Sequence, residues 1–325
     1  MSDSSAQRPV PAHGMPMWVF GLVSLAVELA LWGWFLVWPR WRSGAWSIPQ
    51  ALLLWLAAPL ALRLVIALAS YALSRVKGSP IPPSLRLGPV QWLRFFVVEY
   101  VHLCLQNLML IPLRPLFRTP TERGATAGEG RVVLLQHGYV NNGAVWHFTA
   151  RALAREGYRV FACDQPVFAD IDAMGARLAA RVDEVLALTG ATQLTLVAHS
   201  MGGLVARAYL RAFGAARVDM LITLGSPHHG TWHAYFANGA NGRQMRPGNP
   251  WLEALNQCPL TLPCVSIYSV HDTVISPQAS SVLEGAHNVR LSAVGHVSMP
   301  SGSRARRVLL DALARRLPAE SDTSV

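Results

Sequence analysis

Ser200 lies in Leu194-Thr-Leu-Val-Ala-His-Ser-Met-Gly-Gly203, an apolar run that reads as a strand and leads directly into the helical stretch LVARAYLRAF. Ala198, Gly202 and Gly203 surround it, which is the nucleophile-elbow pattern G-x-S-x-G with alanine at the first glycine position. A strand-to-helix turn this tight leaves no room for larger side chains. It holds the serine in a strained backbone with its hydroxyl outward. The helix that follows aims its free N–H groups and positive dipole end at the same point, which suits a developing oxyanion. A small-residue turn with an incidental serine would satisfy the local pattern too, so the partners of Ser200 decide. A serine hydroxyl needs a base, and the base needs an orienting acid.

The elements that would position those partners begin at Arg131. Strands are expected at 132–136, 158–163, 194–198, 220–224, 265–269 and 289–294, and helices at 144–156, 171–189, 204–213 and 304–317. Strands alternating with helices predict a mostly parallel sheet with helices on both faces. Sites in such sheets form outside the carboxyl ends of the strands.

That rule sorts the candidates. Of 11 histidines, only His287 and His296 follow every plausible acid, and in the α/β-hydrolase order the base comes last. His287 opens a strand, at the wrong edge; His296 follows the strand's end in Ala293-Val-Gly-His-Val297. Among the acids, Asp219 opens a strand, Glu253 falls in a helix and Glu284 precedes the last strand. Asp272 follows Ile267-Tyr-Ser-Val-His271 at the carboxyl end, where it could hold the His296 tautomer. The first strand ends in Gln136-His-Gly-Tyr-Val-Asn-Asn142. There the backbone N–H groups of Tyr139 and Met201 would form an oxyanion hole, with Gly138 letting the chain turn close to the substrate.

HGYVNN with a following tryptophan, AHSMGG, LGSPHHGT at 224–231, SVHDTVISP at 269–277 and VGH at 294–296 together resemble bacterial lipases of the α/β-hydrolase superfamily. The alanine at the elbow is similar to that of small Bacillus-type lipases. The resemblance spans roughly residues 130–317. It implies an α/β-hydrolase fold, a serine carboxylic-ester hydrolase activity and a substrate cleft bordered by His137, Gly138, His199, Pro227 and His228. Residues 232–257, rich in Gly, Asn and aromatics, would lie over that cleft as a cap. Some related lipases bind calcium through acids near the triad. Here the only carboxylate between Asp272 and His296 is Glu284, so no metal and no cofactor are expected.

The rest of the chain is of a different kind. The protein has 325 residues, 52% of them hydrophobic, and a net charge of +10. Its mean hydropathy of +0.28 is high for an ordinary soluble enzyme. Residues 1–125 carry +7 of that charge, beside the apolar segments, which fits anionic lipid head groups better than nucleic acid. Residues 1–16 read as a disordered tail. Residues 17–38 are long enough to span a bilayer, with Glu28 their only ionisable group. Their length, and Pro39-Arg-Trp-Arg42 in place of a small-residue cleavage site, argue for an anchor over a signal peptide. Residues 49–73 form a second apolar run, interrupted by Pro59 and Arg63. The two predict a transmembrane hairpin over 17–89 in which Glu28 and Arg63 either pair or Arg63 snorkels alone. Residues 90–111 place Gln91, Arg94, Glu99, His102 and Gln106 on one helical stripe. That helix would lie in the membrane surface or pack on the 131–325 domain, and prolines and glycines up to 130 complete a linker. Four cysteines lack metal-ligand spacing; Cys258 and Cys264 could pair, and buried free thiols are the favoured reading.

The expectation is a multi-pass bacterial inner-membrane serine hydrolase acting on lipid acyl esters, with its catalytic domain in the cytoplasm. An acyltransferase or thioesterase with the same triad, and a non-catalytic membrane scaffold, remain open from the sequence. So do acyl-chain length, head group and oligomeric state.

Overall fold

The computed structural model describes residues 15–124 and 130–316. Most of the expected tail 1–16, and everything from 317 onward, therefore falls outside the described residues. Six parallel strands form one sheet in the order β2-β1-β3-β4-β5-β6. They are β1 (Val132–Gln136), β2 (Arg159–Cys163), β3 (Leu194–His199), β4 (Val218–Leu224), β5 (Cys264–Ser269) and β6 (His287–Leu291). β1 pairs with β2 on one side and β3 on the other, so the chain reverses its winding at β1 and opens a crevice beyond the carboxyl ends of β1 and β3.

The central strands read as continuous apolar runs because helices cover both faces. Alternate residues serve opposite cores. Leu134, Leu196 and Ala198 pack with Met174, Leu178, Leu204 and Ala208 on one face. Val133, Leu135 and Val197 pack with Trp146, Leu153, Val308 and Leu309 on the other. One expectation shifts. The last strand ends at Leu291, not at 294, because Ala293 takes φ 53 and its N–H bonds to His271 Nδ1 at 3.2 Å, outside the ladder. The loop from there to His296 is correspondingly longer.

Among the described residues three long helices precede the sheet: α1 (Met17–Arg42), α2 (Ile48–Val76) and α3 (Pro89–Leu110), each long and apolar enough to cross a membrane. α1 and α2 are joined by a Glu28–Arg63 ion pair, the first of the two alternatives. The Trp55 indole N–H also donates to Leu29 O at 2.8 Å. α3 packs on α2 through Trp92 against Tyr71 and through Tyr100 Oη donating to Leu60 O at 3.0 Å. Residues 232–257 contain a short turn at Trp232–Tyr235 and the helices Gly239–Gln244 and Pro250–Asn256.

Candidate active site

β3 ends at His199 and the next helix begins at Met201, so Ser200 alone makes the turn, at φ 57 and ψ −131. That conformation costs a non-glycine residue roughly 1–3 kcal/mol and persists only where the surroundings enforce it. Here the Ser200 N–H donates to Leu224 O of the neighbouring strand at 2.9 Å. The demand for small residues is also met: a Cβ on Gly203 would stand 2.1 Å from Ser226 Oγ.

His296 Nε2 lies 2.9 Å from Ser200 Oγ, and His296 Nδ1 lies 2.9 Å from Asp272 Oδ2. A carboxylate only accepts, so Nδ1 carries the proton and Nε2 is left to accept from the serine hydroxyl. Asp272 is 2% exposed, and its Oδ1 accepts the N–H groups of Val274 and Ile275 at 2.8 and 2.7 Å. Three residues far apart in sequence thus form one relay from a buried, fully hydrogen-bonded carboxylate to a serine hydroxyl. This arrangement can remove a proton from Oγ as it attacks a carbonyl carbon, and return that proton to a leaving group.

The loops carrying His296 and Asp272 rest on the N-terminal helices; the sequence allowed the third helix to pack on this domain but did not point to these two loops. Glu99 of α3 accepts the N–H groups of Val297 and Ser298 at 2.9 Å each and the Thr273 hydroxyl at 3.4 Å. Gln106, two turns on, donates to Val297 O at 2.7 Å. Gly295 permits this approach, since a Cβ there would fall 2.0 Å from the Glu99 carboxyl carbon. Gln278 donates to Asp272 O at 2.9 Å and accepts the Ser79 N–H, just past α2, at 2.7 Å. The polar stripe on α3 was the available signal: Glu99 and Gln106 pair with the C-terminal domain, the packing alternative of the two, while Gln91 accepts the Gly88 N–H and the His102 ring bonds to Val98 O within the helix.

Gly138, Tyr139, His199, Ser200, Pro227 and His296 all face one cleft of about 420 Å³. Among the described residues no acceptor takes the N–H of Tyr139 or Met201, leaving both available to a ligand. The His199 ring lies tilted against that of His296 with centres 4.6 Å apart, and its Nε2–H donates to His296 O at 3.1 Å. Burial first, then the neighbouring imidazole, holds His199 well below the usual histidine range, so it stays neutral beside His296. Two expected cleft residues are elsewhere. His137 is buried with Nε2 accepting the Gln165 N–H at 3.0 Å, so its Nδ1–H donates to Gly138 O at 2.8 Å. His228 is buried between Arg207 and Thr223, the start of a chain of hydroxyls through Ser266 to Ser281 O. Both imidazoles satisfy buried polar atoms behind the site, and burial lowers both pKa values. They brace the loops and do not line the cleft.

All four cysteines are free thiols, and burial pushes Cys163 and Cys264 up to about 12. Among the described residues no three His, Cys, Asp or Glu side chains converge as metal ligands would.

Comparison with known proteins agrees with this architecture. Residues 131–237 match a family model described as the α/β hydrolase fold. A triacylglycerol lipase of Pseudarthrobacter phenanthrenivorans is 34% identical over 113 residues, which cover 32% of this chain and 35% of that protein. One of Burkholderia plantarii is 34% identical over 113 residues, covering 32% and 31%. The chain thus spans about a third of the length of these curated relatives. Among solved structures, the mature form of a Bacillus licheniformis lipase aligns with TM-score 0.52 and 18% identity, covering 57% of this chain and 93% of that one. Aspergillus fumigatus lipase B aligns at 0.51 and 19%, covering 59% and 54%. Residues 131–316 have the α/β-hydrolase fold, and over 113 residues the chain is similar to bacterial triacylglycerol lipases.

Proposed function

We propose that this chain is a membrane-anchored serine hydrolase that cleaves carboxylic esters, those of lipids above all. The observation that carries the proposal is the relay from Asp272 through His296 to Ser200, two contacts of 2.9 Å that end in a cleft lined by Ser200 and His296. In this reading His296 Nε2 takes the Ser200 proton as Oγ attacks the ester carbonyl carbon. The oxyanion is held by the N–H groups of Tyr139 and Met201, aided by the dipole of the helix that begins at Met201. The imidazolium, stabilised by Asp272, gives its proton to the departing alkoxide. Water, deprotonated by the same imidazole, then hydrolyses the acyl-serine and restores the resting state. The similarity to triacylglycerol lipases over 113 residues supports the ester chemistry.

α1 and α2 would cross the membrane as a hairpin, since the start of α1 and the end of α2 both lie against the C-terminal domain: Phe20 packs on Phe168, and Ser79 on Gln278. α3 is held to that domain by Glu99 and Gln106, which supports packing on the domain over a third crossing. Arg8, Arg75, Lys77 and Arg86 on the domain's side outnumber Arg40 and Arg42 at the hairpin's tip, favouring a cytoplasmic domain. Alkaline phosphatase and green-fluorescent-protein fusions at the C-terminus test the side; phosphatase activity without fluorescence would place the domain outside. A panel of glycerolipid and simple esters tests the chemistry, and release of fatty acid by wild type but not by Ser200→Ala is the expected result.

A further inference from the structure

The C-terminal domain alone does not wall the cleft that opens onto Ser200. Ile66 and Ser70 of α2 and Leu103 and Asn107 of α3 line it together with Phe236, just past the Trp232–Tyr235 turn. Ile66 and Phe236 are 43% and 80% exposed, so the mouth is open and apolar. Lys77, just past α2, holds its Nζ 4.2 Å from the Trp232 ring centre and so ties the turn to the end of that helix. Ile66 precedes the end of α2 at Val76 by ten residues. At 1.5 Å per residue it stands about 15 Å along the helix from that end. For a helix that enters a bilayer at Val76, that is hydrocarbon depth.

We propose that the acyl chain reaches Ser200 sideways from the bilayer, between α2, α3 and Phe236, and that the substrate is a long-chain lipid resident in the membrane. This rests on the ester-hydrolase and anchoring reading above and adds the route and the chain-binding wall. Ile66 and Leu103 supply an apolar wall on the lipid side of the cleft. Phe236 extends that surface outward, where an acyl chain leaving the bilayer first meets protein. The helices then serve two purposes: they hold the catalytic loops, and they choose long acyl chains over short ones.

The test uses the full chain reconstituted in phosphatidylethanolamine–phosphatidylglycerol vesicles, with p-nitrophenyl butyrate and p-nitrophenyl palmitate as substrates. Ile66→Trp and Leu103→Trp, which narrow the wall, should lower kcat/KM on palmitate by at least about tenfold and on butyrate by less than about threefold. Phe236→Ser, at an exposed position where folding is not at stake, should slow hydrolysis of diacylglycerol embedded in the vesicles and leave butyrate turnover within the same limit. Fluorophosphonate labelling of Ser200 identifies variants that keep an intact site. Equal losses on both esters, or unchanged palmitate turnover in all three variants, would overturn the proposal. A wild-type chain that cleaves butyrate but not palmitate overturns lateral entry alone. One that cleaves neither overturns the ester-hydrolase reading and lateral entry with it.

Discussion

Glu99, on a helix outside the sheet domain, accepts the N–H groups of Val297 and Ser298, the two residues that follow His296, at 2.9 Å each. A third bond from Thr273 brings in the residue after Asp272. One carboxylate therefore ties together the loops that bear the base and the acid. Replacing Glu99 with Gln turns one acceptor oxygen into a donor NH2 facing a backbone N–H. Glu99→Gln is expected to lower kcat by about tenfold with little change in KM, because the bond it disturbs positions His296 and does not touch substrate. Steady-state kinetics on a soluble short-chain ester measure the split. A rise in KM with normal kcat would assign Glu99 to substrate binding instead.

The Glu28–Arg63 pair sets a second expectation. The two side chains are 14% and 10% exposed before any lipid surrounds them. Breaking a buried pair from one side leaves an uncompensated charge and costs about 3–5 kcal/mol, whereas removing both partners costs less. Arg63→Met or Glu28→Gln alone should lower the thermal midpoint in detergent more than the double variant does. Additive losses across that double-mutant cycle would show that the two groups act independently.

The pH dependence of stability follows from buried imidazoles. Burial, reinforced for His271 by the nearby Arg75, holds His233 and His271 down to about 4. In the unfolded chain both titrate near 6.5, at about the free histidine value. Between roughly pH 6.5 and 4 the unfolded state thus binds more protons, so stability falls as pH drops through that window and these groups add no slope above it. His271→Gln should flatten the fall in thermal midpoint over that range. Wild type and variant falling in parallel would remove His271 from the account.

Much of this architecture was legible in the sequence, for reasons that differ by element. The apolar runs of β1 and β3 mark a sheet covered on both sides, and their order and edges single out Ser200, Asp272 and His296 from many alternatives. The helices stand where length and apolar character put them, within a few residues. What sequence could not convey is contact between distant segments. Nothing in the local pattern around Glu99 says that its partners lie some two hundred residues away, or that Gly295 is small to admit it. His137 and His228 were misplaced for the complementary reason. A histidine beside a cleft motif looks the same whether it faces the substrate or satisfies buried groups behind it, and only Gln165 and Arg207 reveal which.

Metal independence is a fourth expectation. The relay places no charge that needs a cation, and the described acids are dispersed or already paired. Prolonged treatment with EDTA or EGTA should leave ester hydrolysis unchanged. Loss of activity that calcium restores would contradict this.

The central claim is that Ser200 is a nucleophile activated by His296. Its most direct measurement is covalent labelling of the purified full chain with a fluorophosphonate, followed by mass spectrometry of the labelled peptide. The account predicts one adduct on Ser200, lost in Ser200→Ala and strongly slowed in His296→Ala, with hydrolysis falling by at least ~10³-fold in both variants. Undiminished ester hydrolysis by Ser200→Ala, or an adduct on another residue, would contradict it.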